Sequence, residues 1–336
     1  MNKIIGSERI FDNCFLMNKK NHLFENISLN KRINYLSSGR SAIKALFEQI
    51  YSPNMLLIPD FNCMEVENTL NSLKVIFDFY PIDRNFCANI ENLKILTSTN
   101  KYDSIYIVDY FGLRDKELFN FAKQSGLKII IDRTHSIFNP YPFSGDYELG
   151  SLRKLFPVPD GGFLILNSNE LLNISKSTSY FYNIKLNSKI KKSIFNKYSR
   201  TPSIEMEYLH DSETAESMIS DEPLCISSFS KTIIDFYDID KAVANRIRNR
   251  NFLIQLIDNS LVASSSMEIL QSLPLFINER DRIKLSLQKN KVFLPVLWRG
   301  KNYYQQMLIN LPIDEEYSTA DMKRISKLIC GALNDY

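Results

Sequence analysis

A chain of 336 residues is about twice the usual single-domain length, so one large and one small domain are expected, with ample room for a buried core. Hydrophobic residues at 44%, charged residues at 24% and a net charge of +3 suit an ordinary globular protein and give no ground for a nucleic-acid or membrane partner. Cys14, Cys63, Cys87, Cys225 and Cys330 are widely spaced without a CxxC pair, and His22, His135 and His210 are the only imidazoles, so neither a disulfide framework nor a metal site is expected.

The opening MNKIIGSERIFDNCF carries charge where a secretory signal needs an apolar run, and no stretch approaches the roughly 18 apolar residues of a spanning helix. A cytosolic location is therefore expected. Residues 1–29 read as an N-terminal arm, 30–221 as the large domain and 222–336 as the small C-terminal domain. Within the large domain, LLIP (Leu56 to Pro59), KVIFDFYPI (Lys74 to Ile82), SIYIVDY (Ser104 to Tyr110), LKIIID (Leu127 to Asp132) and GFLIL (Gly162 to Leu166) read as strands, several apolar on both faces. Helical spacing over Ser41 to Tyr51, Glu65 to Leu73 and Asp115 to Ser125, the last closed by Gly126, alternates with them. Such alternation indicates a mostly parallel α/β sheet.

From Asn173 to about Asp221 the sequence turns polar and loses its period. Its basic run of Lys185, Lys189, Lys191, Lys192, Lys197 and Arg200 reads either as a solvated loop or helix face, or as a set of phosphate contacts. Ile226 to Ile257 reads as mainly helical. The tail then gives a strand (LPLFIN, Leu273 to Asn278), a helix (Arg280 to Lys289), a strand (VFLPVLW, Val292 to Trp298), a loop and a final helix from about Thr319 to Leu333, the order of a small α+β domain.

In open α/β sheets ligands sit beyond the carboxyl ends of the strands. Ser37 to Ala42, just before a helix, is either a plain cap or an anion cradle of free N–H groups to which Arg40 could add a charge. Asp132 ends a buried strand and needs a partner, either Arg133 or a cationic ligand atom; His135, three residues on, could reach a ring substituent or be a satisfied core histidine. Arg153-Lys154, among Leu152, Leu155 and Phe156, is either a surface pair or a lysine whose pKa is depressed for Schiff-base chemistry.

Taken in order, these features resemble the DegT-type (DegT/StrS) sugar aminotransferases, a family of fold-type I enzymes that use pyridoxal 5'-phosphate (PLP). Gly39-Arg40-Ser41-Ala42 resembles the family's phosphate-binding turn, and Pro59-Asp60-Phe61-Asn62 the Pro-Phe/Thr element after the next strand. Asp132-Arg133-Thr134-His135 resembles its acidic element, and Ser151 through Lys154 with Gly161-Gly162 its PLP lysine and following glycines. LPLFI, FLPVLW and LINLPID with Tyr317 follow in the family's order. The resemblance implies a seven-stranded, mostly parallel sheet in the large domain and a homodimer. It implies Lys154 as the PLP lysine and proton shuttle, Asp132 as partner of the pyridine nitrogen and His135 near the phenolic oxygen. Gly39, Arg40, Ser41 and Ser151 would surround the phosphate, and Cys63 stands where many members place an aromatic residue against the ring. The reaction implied is transfer of an amino group from an amino acid, glutamate being the expected donor, to a nucleotide-linked keto sugar, for cell-surface polysaccharide or related sugar synthesis. The cofactor equally permits decarboxylation, elimination or condensation on an amino acid, and a non-catalytic binding protein is the third reading.

Overall fold

The computed structural model describes residues 3–6, 9–10, 13–25, 27–99, 101–142, 144–176, 180–198, 201–295, 297–298 and 302–334; Arg200 of the basic run, Val296 of the FLPVLW segment and part of the N-terminal arm lie outside them. The first elements are β1 (Ile5–Gly6), β2 (Lys31–Leu36), α1 (Gly39–Gln49), β3 (Leu56–Pro59), α2 (Met64–Ser72), β4 (Phe77–Tyr80), α3 (Ile90–Thr97), β5 (Ser104–Val108), α4 (Lys116–Gln124), β6 (Lys128–Asp132), β7 (Tyr147–Ser151) and β8 (Gly162–Asn167). Then come α5 (Tyr180–Lys197), α6 (Pro202–Ser217), α7 (Ser228–Phe236), α8 (Ile239–Leu256), β9 (Ser272–Phe276), α9 (Arg280–Lys289), β10 (Val292–Phe293), α10 (Tyr303–Met307), β11 (Leu308–Pro312) and α11 (Thr319–Asn334).

Seven strands form one sheet in the order β2-β8-β7-β6-β5-β3-β4. All neighbours from β7 to β4 pair in parallel, and β8 is antiparallel to both β7 and β2, so the sheet is mostly parallel, as the alternating pattern predicts. β3 and β5 are buried throughout, which is why they read as unbroken apolar runs: helices cover both faces. α1 and α4 start where a side chain accepts from the first turn, Ser38 from the Ser41 N–H and Asp115 from the Leu118 N–H. Gly126 follows α4 in the left-handed conformation (φ 69°).

Two strands carry no clear sequence signal. β2 is an edge strand and mostly half-buried, so its alternation is blurred. β7 contains Glu148, fully buried, yet its carboxylate lies 3.4 Å from Arg133 and accepts the Gly145 N–H at 3.0 Å. A partnered carboxylate can occupy a central strand; its letter alone reads as surface.

The tail differs from its sequence reading. Of the strand expected over Val292 to Trp298, only Val292 and Phe293 pair among the described residues, in parallel with β1; Pro295 has no N–H to extend the ladder. The expected loop contains β11, which pairs antiparallel with β9 in the register Leu308 to Phe276. Because β11 is buried along its whole length, it shows no alternation to betray it.

The polar stretch after β8 forms the two helices α5 and α6, and the basic run does not form a solvated face. Lys185, Lys189 and Lys192 are buried on one side of α5, spaced by four and three residues. Lys189 donates to the Arg9 carbonyl (3.0 Å) and Lys192 to the Gly6 carbonyl (3.1 Å), clasping the N-terminal arm, while Lys191 faces Glu207 and Asp211 of α6. Long apolar stems suit such positions, since backbone carbonyls satisfy the ammonium heads.

A second clasp centres on Glu315. Arg246 of α8 lies 2.7 Å from its carboxylate, and Arg9 and the Tyr237 hydroxyl donate to the other oxygen. Burial pushes the Glu315 carboxyl up, but the Arg246 and Arg9 guanidiniums and the Tyr237 hydroxyl outweigh it and hold the group down at about 2. Because the folded value lies below the unfolded one, this ionisation stabilises the protein above about pH 4.5. That contribution should fall away as the pH drops toward 2, and Glu315→Gln should remove it while costing about 3–5 kcal/mol at neutral pH, read from urea unfolding at a series of pH values.

Two glycines give opposite expectations. A Cβ on Gly162 would lie 2.1 Å from the Ser38 carbonyl oxygen, so Gly162→Ala should cost about 1–3 kcal/mol through overpacking. A Cβ on Gly331, in α11, would meet nothing within 4 Å, and Gly331→Ala should add about 0.5–1 kcal/mol, both read from the urea midpoint.

Candidate active site

The turn before α1 is built from serines and held by close glycine contacts. Ser38 accepts from the Ser41 N–H at 3.0 Å, and the Ser41 hydroxyl lies 3.0 Å from Ser37 and 2.9 Å from Ser38. Ser38 is thus a cap, and α1 still presents to the cleft the first-turn N–H groups that have no partner within a helix. Gly161 donates to the Ser37 carbonyl (2.7 Å) and accepts from the Leu152 N–H (3.0 Å), tying this turn to the short 3-10 helix Leu152–Lys154. Arg40 points away from the turn to Glu65 of α2, at 2.8 Å.

At the end of β6, Asp132 is held by neutral donors. The Tyr106 hydroxyl donates at 2.7 Å and the Thr134 N–H at 2.9 Å, while Arg133 is directed instead to Glu148 (3.4 Å) and Asp109 (3.9 Å). Burial raises the Asp132 carboxyl above its ordinary value, partly offset by the Thr134 and Tyr106 bonds. The arrangement disposes of the Asp132–Arg133 pair that the sequence leaves open.

His135 is buried at the edge of the same cleft. Burial, and then the nearby Lys154 charge, push its imidazole down to about 3, so it is neutral at ordinary pH. The Phe111 N–H points at Nδ1 from 3.5 Å, which makes Nδ1 the acceptor and leaves the proton on Nε2.

Lys154 itself is exposed, and Arg153 does not crowd it: the guanidinium turns to Glu216 of α6 and lies over the Phe181 ring. Lys154 stands on a wall shared by two cavities. One, of about 170 Å³, holds Gly39, Arg40, Cys63, Asp132, His135 and Ser151. The other, of about 430 Å³, is lined by Arg9, Lys185, Ser212, Gln271 and Asp314 among others. Ser151, Arg153, Lys154, Glu216 and Leu297 line both. Glu216 is kept ionised at about 2 because Arg153 and Lys185 overcome the upward push of burial.

Of the residues the sequence singles out, Gly39, Arg40, Cys63, Asp132, His135, Ser151 and Lys154 line one cleft, and Ser41 lies buried behind it in the α1 turn. Tyr106, Thr134, Glu216 and Trp298 escape a sequence reading. Tyr106 lies inside an apolar strand and reaches Asp132 only through sheet pairing, while Glu216 and Trp298 arrive from distant segments.

No protein-family profile and no curated protein matches the sequence. Among solved structures, the chain is similar to a DegT/DnrJ/EryC1/StrS aminotransferase from Brucella abortus at 16% identity and a TM-score of 0.61, covering 89% of this chain and 85% of that one. It is similar to Helicobacter pylori PseC, an aminotransferase involved in pseudoaminic acid biosynthesis, at 14% identity and a TM-score of 0.64 over 100% of both chains. DesI, solved with its TDP-sugar product, gives 13% identity and a TM-score of 0.64 over 98% and 96%. The chain therefore has the fold-type I architecture that these aminotransferases share, and its structural neighbours include NifS-like proteins as well as the DegT-type sugar aminotransferases that its motifs resemble.

Proposed function

We propose that the protein is a PLP-dependent aminotransferase that moves an amino group from an amino acid, glutamate being the expected donor, to a nucleotide-linked keto sugar. The observation that carries this reading is the place of Lys154, on the wall between a cleft that suits PLP and a larger cavity that suits a polar substrate. The names of the structural neighbours support the sugar, since DesI is described with a TDP-sugar product and PseC by the biosynthesis of pseudoaminic acid. The resemblance adds a homodimer to the proposal, and the sequence pattern adds the cytosol and the domain limits 30–221 and 222–336; no helix among the described residues is long and apolar enough to cross a membrane.

The residues present fit the cofactor. Asp132 is a half-buried carboxyl facing the cleft, its donors among the described residues are neutral, and a protonated ring nitrogen would supply the matching charge. The first turn of α1, with Ser41 and Ser151 beside it, suits a phosphate group. When bound, PLP supplies a conjugated ring that takes up the electron pair left as a proton leaves the carbon beside the amine nitrogen.

Each side chain then has a stated task. Asp132 holds a proton on the ring nitrogen. His135 donates from Nε2 toward an anionic ring oxygen, which a neutral imidazole accepting at Nδ1 is set to do. Lys154 attaches the cofactor through Nζ and afterwards carries the proton between carbon centres, a task that its access to both cavities allows. Arg9, Lys185 and Arg153 line the larger cavity, Arg9 held by Glu315 and the other two by Glu216, so a substrate carboxylate or phosphate there would compete with these carboxylates for them.

Purified protein mixed with PLP and desalted should retain a long-wavelength absorption band, Lys154→Ala should show none, and glutamate should bleach the wild-type band while a nucleotide-linked keto sugar gains an amino group by mass. A wild type without a band sinks the cofactor reading; a band indifferent to glutamate, with carbon dioxide released from another amino acid, sinks transamination.

Asp132→Asn should lower kcat/KM by about 100-fold or more, because the amide cannot hold the ring-nitrogen proton. It should shift stability by less than about 1 kcal/mol, because the amide oxygen still accepts from Tyr106 or Thr134. Equal losses in both measurements would reduce Asp132 to a structural residue.

A further inference from the structure

Cys63 stands half-buried at the start of α2, where the resemblance leads one to expect an aromatic side chain against the cofactor ring. A thiol has no face to offer a flat ring. The same cleft does have one large planar group on its wall, Trp298, the only tryptophan of the chain. It comes from the segment after β10, far from α2 in sequence.

Its surroundings fix its plane. The indole lies nearly parallel to the His135 imidazole, with centroids 5.6 Å apart and an interplanar angle of 9°. Phe61 and Tyr110 meet it edge-on, each at 65°, with centroids 5.0 and 5.9 Å away. The Trp298 backbone is left-handed (φ 47°), a conformation a bulky residue keeps only where packing holds it. A core tryptophan would be fully enclosed by such a cluster. Trp298 is only half-buried, and it lines the cleft that contains Asp132, Thr134 and Lys154.

Resting on the PLP reading above, we propose that Trp298 is the aromatic wall of the cofactor-ring site, in place of the side chain that Cys63 does not provide. The ring site is then completed by Trp298, a residue far from α2 in the chain. Planarity and area govern such a contact, so phenylalanine should replace the indole better than leucine.

The test is a PLP titration of wild type, Trp298→Phe, Trp298→Leu and Cys63→Ala, followed by cofactor absorbance and, in wild type, by emission of the single tryptophan. Trp298→Leu should raise Kd about tenfold and Trp298→Phe less than about threefold, in line with the strength of one aromatic contact. Cys63→Ala should weaken binding less than Trp298→Leu, and wild-type emission should be quenched in step with the absorbance change. Equal Kd values for the Leu and Phe variants, or a larger loss in Cys63→Ala, overturn the proposal while the cofactor reading stands. A wild type that binds no PLP overturns both. Far-ultraviolet circular dichroism of each variant separates lost binding from lost fold.

Discussion

A carboxyl group half-buried in a cleft at the end of a central strand is costly to leave without a matching positive charge, and the cleft is arranged around that demand at Asp132. The nearest guanidinium in sequence, Arg133, is drawn away by two other buried carboxylates, Glu148 and Asp109. What remains for Asp132 is a hydroxyl and the neutral donors of Thr134. The parallel pairing of β5 with β6 makes this possible, because it sets Tyr106 beside the strand that carries the aspartate. The sheet thus does more than support the site: its register selects which donors reach the carboxylate.

The same economy governs the lysine. Lys154 belongs to a single turn of 3-10 helix whose first N–H is held by Gly161, which in turn is held by the turn that opens α1. Gly162 fits because no side chain could stand so close to the Ser38 carbonyl. The serine turn before α1, the lysine turn and the paired glycines are one packed unit, although they are distant along the chain.

Much of this was legible in the sequence, for physical reasons. Strands such as SIYIV, buried on both faces, announce themselves as apolar runs, and strand ends are where α/β proteins place ligands, so Asp132 and the lysine segment stood out. β7 was hidden because Glu148 is satisfied by a partner the sequence does not pair with it. Lys189 and Lys192 of α5 read as solvated because their acceptors are backbone carbonyls of the N-terminal arm, which no residue letter reveals. Trp298 and Glu216 were missed because their meaning lies in tertiary approach, and Arg153 was misplaced beside Lys154 because nearness in sequence did not foretell its turn toward α6.

The clasp on the arm bears on how the chain is made. β1 pairs with β10, and Arg9 meets Glu315 at a separation of 306 residues, so the arm finds these partners only after the large sheet between them has been made. Arg9 and Gly6 also line the larger cavity beside Lys154. Contacts of such long sequence separation form late, after local helices and the central sheet. The larger cavity beside Lys154 is therefore assembled last, and a nascent chain has the sheet before it has that cavity.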